Sequence, residues 1–235
     1  MINIMKNSKY VILQNDIKTM IASYALKYIK KDMIIGVGTG STISYFIKQL
    51  VTLKDVIKGV VSSSCASTLK LQELSIPIFN SNQVDKVDIY IDSANEINEN
   101  GIMIKGGGGA LTQEKVIADM SEIFLAIVDE SKYVKNLGKF PLPVEVIPMA
   151  RTHVSRSIIK LGGLPEYRSN MITDNGNIII DVYNLKIINP IILEQIINNI
   201  PGVVNVGLFA KNSADIILLG GKNGVQTLLK PYIKK

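Results

Sequence analysis

The chain has no tryptophan, one cysteine and one histidine. With Cys65 alone there is no intramolecular disulfide, and one cysteine plus one histidine leaves no zinc ligand set. Nothing in this composition calls for an oxidising compartment. Long apolar runs are missing too. No stretch nears the roughly 20 residues of a membrane span, and the amino-terminal MINIMKNSKYVILQND returns to polar residues too soon for a signal peptide. A cytoplasmic location without a membrane partner is expected. Clustered charge is also absent. The formal charge is +6 and the pI about 9.2, yet the lysines are scattered and no aromatic-basic ladder or nucleic-acid motif accompanies them. No nucleic-acid partner is expected; the basic surface mildly favours a phosphorylated small molecule.

What is present is globular. A hydrophobic content of 47% with 20% charged residues, over 235 residues, suffices for one large domain or two modest ones. Apolar residues at helical spacing predict a helix over Asp16–Lys30, with Lys18 off the apolar stripe, where it reads as a solvated lysine. A buried strand follows at Met33–Val37, then Gly38-Thr39-Gly40-Ser41-Thr42 and a helix through Leu50. A glycine turn between strand and helix seats phosphates, because unpaired helix-end N–H groups converge there. Ile43 replaces the third glycine of a dinucleotide fingerprint, and a P-loop lysine is missing. A small phosphate ester fits better than a nucleotide.

Further β–α alternation is predicted from a strand at Gly59–Ser62, a helix at Ala66–Leu74, and strands at Ile76–Phe79, Val87–Ile91 and Ile123–Val128. Such alternation predicts an α/β fold with a doubly wound, mostly parallel, Rossmann-like sheet and functional loops at the strand carboxyl ends. Lys132 lies at one such end. Cys65, with no base nearby in sequence, reads as a bystander thiol. After Gly138 the order becomes strand 144–148, helix 152–161, strand 166–172, turn 174–176, strand 178–182, helix 190–200 and strand 203–209. That is βαββαβ, a ferredoxin-like α+β domain. The expected division is a Rossmann-like catalytic domain over 1–137 and 210–235, and a smaller domain over 138–209. A strand at Ile216–Leu219 and a helix from Val225 are expected to return to the first sheet. His153 falls on a helix of the smaller domain and reads as structural.

Chemistry concentrates in residues 91–118, IDSANEINENGIMIKGGGGALTQEKVIA. Asp92, Asn95 and Glu96 follow a strand; Lys105 precedes Gly106–Gly109, and a helix then opens with Glu114. Side-chain-free glycines let backbone N–H groups converge on an anion, and the helix start adds its positive end. A carboxylate base, a lysine cation and an oxyanion cradle together suit proton abstraction beside a carbonyl.

The same stretch resembles the central signature of the ribose-5-phosphate isomerase A family. The resemblance extends through GVGTGST (36–42), VSSSCAST (61–68), DESK (129–132), GKFPLPVEVIPMAR (138–151) and TDNG (173–176). It implies interconversion of ribose 5-phosphate and ribulose 5-phosphate through an enediolate, in the non-oxidative branch of the pentose phosphate pathway, without metal or cofactor. It further implies Glu114 as the base, and Lys105 with the N–H groups of Gly106, Gly107 and Gly108 as the enediolate cradle. Substrate contacts are implied at Thr39, Gly40, Ser41, Thr42 and Lys132, which face the phosphate; for Lys18 the resemblance implies a phosphate contact, set equally against a solvated lysine. Asp92, Ser93, Ala94 and Asn95 form the sugar-facing loop, Asp92 contacting sugar hydroxyls and assisting ring opening. A homodimer or homotetramer is expected. The family's pattern in that loop is Asp-Gly-Ala-Asp-Glu, and this chain departs from it at Ser93 and Asn95. Asn95 cannot exchange a proton, and Ser93 puts a Cβ where glycine supplies unusual backbone angles. A weakened homologue or a sugar-phosphate sensor domain stays open as an alternative.

Overall fold

A computed structural model describes residues 2–230, with side chains from Gln14 onward. Helix α1 (Ile2–Ala25) leads into β1 (Ile34–Val37), α2 (Ser41–Leu50), β2 (Gly59–Ser62), α3 (Cys65–Glu73) and β3 (Ile89–Asp92). Next come the short strands β4 (Glu96–Ile97) and β5 (Met103–Ile104), helix α4 (Leu111–Met120) and β6 (Phe124–Asp129). The remaining elements are β7 (Leu142–Val146), α5 (Arg151–Lys160), β8 (Leu164–Tyr167), β9 (Ile178–Tyr183), α6 (Pro190–Asn198), β10 (Val203–Val206), β11 (Leu208–Phe209), β12 (Ile216–Gly221) and β13 (Gly224–Leu229).

The large sheet runs β13-β12-β6-β3-β1-β2, parallel except where β13 pairs antiparallel with β12. Its parallel strands read as unbroken apolar runs because helices cover both faces; one face packs Ile35, Val37 and Ile91 against α1 and α2, the other Tyr90, Ala126 and Val128 against α4. After β1 the chain turns outward to β2, then returns to the opposite side of β1 as β3. The loops leaving β1 and β3 therefore face each other across a topological switch point, where open α/β sheets bind ligands. Their approach is close. A Cβ on Gly38 would collide with the Asp92 carboxyl group, so only glycine fits there.

The second sheet has the order β10-β7-β9-β8, antiparallel throughout, with α5 and α6 supplying the helices of the βαββαβ order. A third, three-stranded sheet, β11-β5-β4, joins the other two and was not foreseen. Its β4–β5 hairpin turns at Asn98, whose Oδ1 accepts from the N–H groups of Asn100 and Ile102 at 3.1 and 3.0 Å. The expected strand 203–209 is split at Gly207: its first half pairs with β7 and its second with β5. Two other expectations fail. Residues 76–79 make only an isolated bridge from Ile78 to Val60. The helix expected from Val225 is strand β13, because Lys222-Asn223 closes a two-residue hairpin that sets Gly221 opposite Gly224; residues 231–235 lie outside the described residues.

Candidate active site

The hairpin explains how residues distant in sequence meet. Its pairing sets Glu96 opposite Ile104 and brings Lys105 back beside the end of β3. Lys105 is fixed from the other side by its own N–H, which donates to Gly207 O at 2.8 Å. Its ammonium donates to Asp92 Oδ2 at 2.7 Å and to Ser93 O at 2.5 Å, and stands 3.3 Å from Glu114 Oε2. An ammonium has three N–H donors, so one remains for Glu114 or for a ligand. Burial works against the charge on Lys105, but Asp92 and Glu114 outweigh it and hold its pKa above the ordinary lysine value.

Glu114 sits in the first turn of α4, 4% exposed. Its Oε2 is near Lys105 yet lacks the alignment for a hydrogen bond, and it is the one buried side-chain polar atom without such a partner among the described residues. Burial pushes the carboxyl up from its ordinary 4.5 to about 7; Lys105 opposes that rise and the negative charge of Asp92 adds to it. A carboxyl group of this kind can hold or release a proton near neutrality.

Asp92 is placed differently from the sequence expectation. It is completely buried, does not border the cavity, and accepts from Thr39 N (3.0 Å), Ser93 N (2.7 Å), Lys105 Nζ and the Tyr90 hydroxyl. In this conformation all four of these contacts are to protein groups, so it anchors Lys105 and ties the β1 loop to the β3 loop. Ser93 also departs from expectation. It is not among the non-glycine residues with positive φ, so its Cβ imposes no backbone strain.

A cavity of about 190 Å³ opens at the switch point, lined by Lys18, Thr39, Gly40, Ser41, Thr42, Ser93, Ala94, Asn95, Lys105, Gly106, Gly107, Gly108, Glu114 and Lys132. Gln14 and Asp129 also border it; Asp129 opens the DESK motif without having been given a role, and Gln14 lies in no motif. Along one side, no side chain caps the start of α2 at Gly40, and Lys18 Nζ donates to Ser41 Oγ at 3.1 Å. Free helix-end N–H groups with two lysines make an anion seat. Facing it is the glycine loop. Asn95 Oδ1 accepts the Gly107 N–H at 3.0 Å, and the approach is tight: a Cβ on Gly107 would lie 2.6 Å from Asn95 Nδ2. The loop's other side is held by Arg168, which the sequence did not single out. Among the described residues no group of three or more His, Cys, Asp or Glu converges as metal ligands do.

An anion seat facing a carboxyl group that titrates near neutrality, with a buried ammonium between, suits an aldose–ketose isomerase acting on a sugar phosphate. Comparison with known proteins agrees. The profile of the family ribose 5-phosphate isomerase A (phosphoriboisomerase A) matches residues 59–224. The crystal structure of ribose 5-phosphate isomerase A from Neisseria gonorrhoeae is 44% identical, with a TM-score of 0.91 over 93% of this chain and 98% of that one. The enzyme from Methanocaldococcus jannaschii is 42% identical, with a TM-score of 0.88 over 92% and 99%. A D-ribose-5-phosphate isomerase solved in complex with phospho-erythronic acid is 40% identical, with a TM-score of 0.87 over 92% and 98%. The chain belongs to the ribose 5-phosphate isomerase A family, aldose–ketose isomerases that interconvert ribose 5-phosphate and ribulose 5-phosphate.

Proposed function

We propose that this ribose-5-phosphate isomerase uses Glu114 to carry one proton between C2 of the aldose and C1 of the ketose. The observation that carries this is the Glu114 carboxyl itself: buried, bordering the cavity, without a hydrogen bond on Oε2, and titrating at about 7. With the sugar open, Glu114 takes the C2 proton; the electrons of that C–H bond form the C1–C2 double bond, and those of the C1 carbonyl π bond move onto O1, giving an enediolate. The hydroxyl proton of O2 passes to O1, the electrons left on O2 form the C2 carbonyl as the C1–C2 double bond opens, and the same carboxyl returns its proton to C1. A positioned base is worth roughly 10²- to 10⁴-fold. Charge on the enediolate oxygens is stabilised by Lys105 and by N–H groups of the glycine loop, in a pocket where such donors act more strongly than in water.

The phosphate is assigned to the start of α2, with Ser41, Thr42, Lys18 and Lys132 around it. Phospho-erythronic acid, bound by a relative, carries both a phosphate and a carboxylate that mimics the enediolate, and this chain is expected to bind it across the same cavity. Residues 1–137 with 210–235 form the catalytic unit in this scheme, and 138–209 the smaller one. A cytoplasmic homo-oligomer is proposed: no helix among the described residues is long and apolar enough to cross a membrane, and α6 leaves Ile191, Ile192 and Ile196 about half exposed, a row that a second copy would cover. Sedimentation equilibrium checks that assembly.

The mechanism is tested with ribose 5-phosphate carrying deuterium at C2. Proton transfer through Glu114 predicts partial loss of deuterium to water and partial transfer to C1. Complete retention together with turnover surviving in Glu114→Gln would mean a hydride shift and overturn the scheme; retention alone means that the carboxyl returns its proton faster than it exchanges with water.

A further inference from the structure

Arg168 lies just past β8, in the smaller sheet, and belongs to neither of the loops at the switch point. Its Nε and Nη2 form a two-pronged pair with Asp181 on β9, at 2.7 and 2.5 Å. The remaining arm, Nη1, donates to Gly106 O at 3.0 Å and to Gly107 O at 3.1 Å. A guanidinium locked by a carboxylate on one side is a rigid fork on the other. Here the fork grips two successive carbonyl groups of the glycine loop.

A peptide unit is planar and trans, so its C=O and N–H point in opposite directions. Holding Gly106 O toward the smaller sheet turns the Gly107 N–H toward the cavity, where it is found donating to Asn95. Holding Gly107 O turns the Gly108 N–H the same way. Four glycines in a row have no side chains to fix these orientations for themselves; the Gly109 N–H also donates to Gly106 O at 3.0 Å, which leaves Gly107 O to Arg168. We propose that Arg168 is a positioning residue for the isomerisation: by clamping the carbonyl groups of Gly106 and Gly107 it keeps the Gly107 N–H on Asn95 Oδ1 and aims the Gly108 N–H at the enediolate. The smaller unit is thereby part of the catalytic device without touching substrate. This rests on the assignment of the glycine loop as the enediolate cradle.

The test compares Arg168→Ala and Arg168→Lys in the full-length enzyme, reading kcat, KM, pH profile and binding of phospho-erythronic acid and inorganic phosphate. For Arg168→Ala, kcat is expected to fall roughly 10- to 100-fold, the cost of one misaligned oxyanion donor being of order 10²-fold or more. KM and phosphate binding should stay within about threefold, and the pH midpoint of kcat/KM should not move. Binding of phospho-erythronic acid should weaken about tenfold or more, and added guanidinium should restore part of kcat. Arg168→Lys reaches Asp181 or the carbonyl groups but not both, and should fall between alanine and the parent.

A kcat within threefold of the parent, or equal weakening of phosphate and phospho-erythronic acid, would overturn the proposal. If Arg168→Ala does not fold, Arg168→Lys decides, with the same threshold. Glu114→Gln separates this from the assignment of the base. Turnover surviving in Glu114→Gln while Arg168→Ala loses phospho-erythronic acid would refute Glu114 alone; the reverse pattern would refute Arg168 alone.

Discussion

Glu114 and Lys115 are neighbours on α4, both buried and both ionisable, and the protein treats them in opposite ways. Lys115 points to α6, β10 and β11, where its ammonium donates to Glu194 Oε1 at 2.7 Å, Val206 O at 2.7 Å and Leu208 O at 2.9 Å. Every N–H it has is used. Glu194 is equally satisfied, its Oε2 accepting from Ala210 N and Lys211 N at 2.9 Å each. Glu114 points to the cavity with Oε2 lacking any hydrogen bond. A satisfied buried charge holds an interface together; an unsatisfied one stores reactivity, because an incoming proton relieves it. Adjacent residues on one rigid helix thus separate the two uses of a buried charge, and the Lys115 anchor fixes where Glu114 stands.

The largest effect should come from breaking the Glu114 side. Glu114→Gln keeps the shape of the side chain and removes the proton acceptor. It is expected to lower kcat by roughly 10³- to 10⁴-fold, or about 4–5 kcal/mol of barrier, while KM for ribose 5-phosphate changes little. A kcat within tenfold of the parent, measured by a coupled assay, would end the assignment.

Lys115→Met should do the converse. It strands Glu194 in the interior, and breaking a buried pair from one side costs about 3–4 kcal/mol. Denaturant unfolding should show that loss, with the folded fraction keeping kcat within a few-fold. Lys115→Met with Glu194→Gln should recover part of the stability. Should kcat collapse while the unfolding midpoint stays put, the division between anchor and base would be wrong.

A smaller effect sharpens the comparison through pH. The Glu114 carboxyl binds its proton more tightly folded, at about 7, than at its ordinary 4.5. The unfolded chain therefore holds fewer protons at this group between those values, and stability from it is full below about pH 4.5 and lost as pH rises through 7. Glu114→Gln should accordingly be more stable to unfolding than the parent at pH 8, by roughly 1–3 kcal/mol, with the gain vanishing near pH 4.5. In the parent, kcat/KM should fall below about pH 7 as the base becomes protonated. An unchanged pH dependence of unfolding in Glu114→Gln would show that ionising this carboxyl costs the fold nothing.

How much of this was legible depends on whether the cause was local. Strand β2 follows directly from its apolar run between turn residues, and the glycine turn before α2 from its position between strand and helix. The hairpin signals are local too: Asn100-Gly101 lies in the β4–β5 turn, and Lys222-Asn223 closes β12–β13 with glycine on either side. Residues 203–209 look like one strand in sequence, and only Gly207, pinned between Pro143 O and Lys105 N, divides them between sheets. The burial of Asp92 and the grip of Arg168 are tertiary facts. Asp92 loses its cavity face because the β1 loop folds over it, and Arg168 reaches the glycine loop from 61 and 62 positions away in sequence. Periodicity cannot report either.

The smallest effect concerns Asn95, where the chain departs from its family's aspartate. In the structure Asn95 Oδ1 accepts the Gly107 N–H, so the amide serves the same loop that Arg168 holds from behind. An aspartate there would keep that bond and make it charge-assisted, while adding a group able to exchange a proton during ring opening. Asn95→Asp is therefore expected to leave the fold unchanged and shorten the lag before enediolate formation from cyclic ribose 5-phosphate by less than about tenfold. Ribulose 5-phosphate cannot close a furanose through its 5-oxygen, so its pre-steady-state rate should not change. Steady-state rates cannot show a one-sided gain, because the overall equilibrium ties forward and reverse kcat/KM together; rapid mixing from each substrate is needed. Because Ser93 sits without backbone strain, Ser93→Gly should add little to Asn95→Asp, and a large further gain from it would mean that the loop moves during turnover. With Asp92 sealed behind Lys105, position 95 is the place in this loop where a carboxylate could face the ring. An unchanged lag in Asn95→Asp would leave ring opening to solvent or to Glu114, and reduce Asn95 to a brace for the glycine loop.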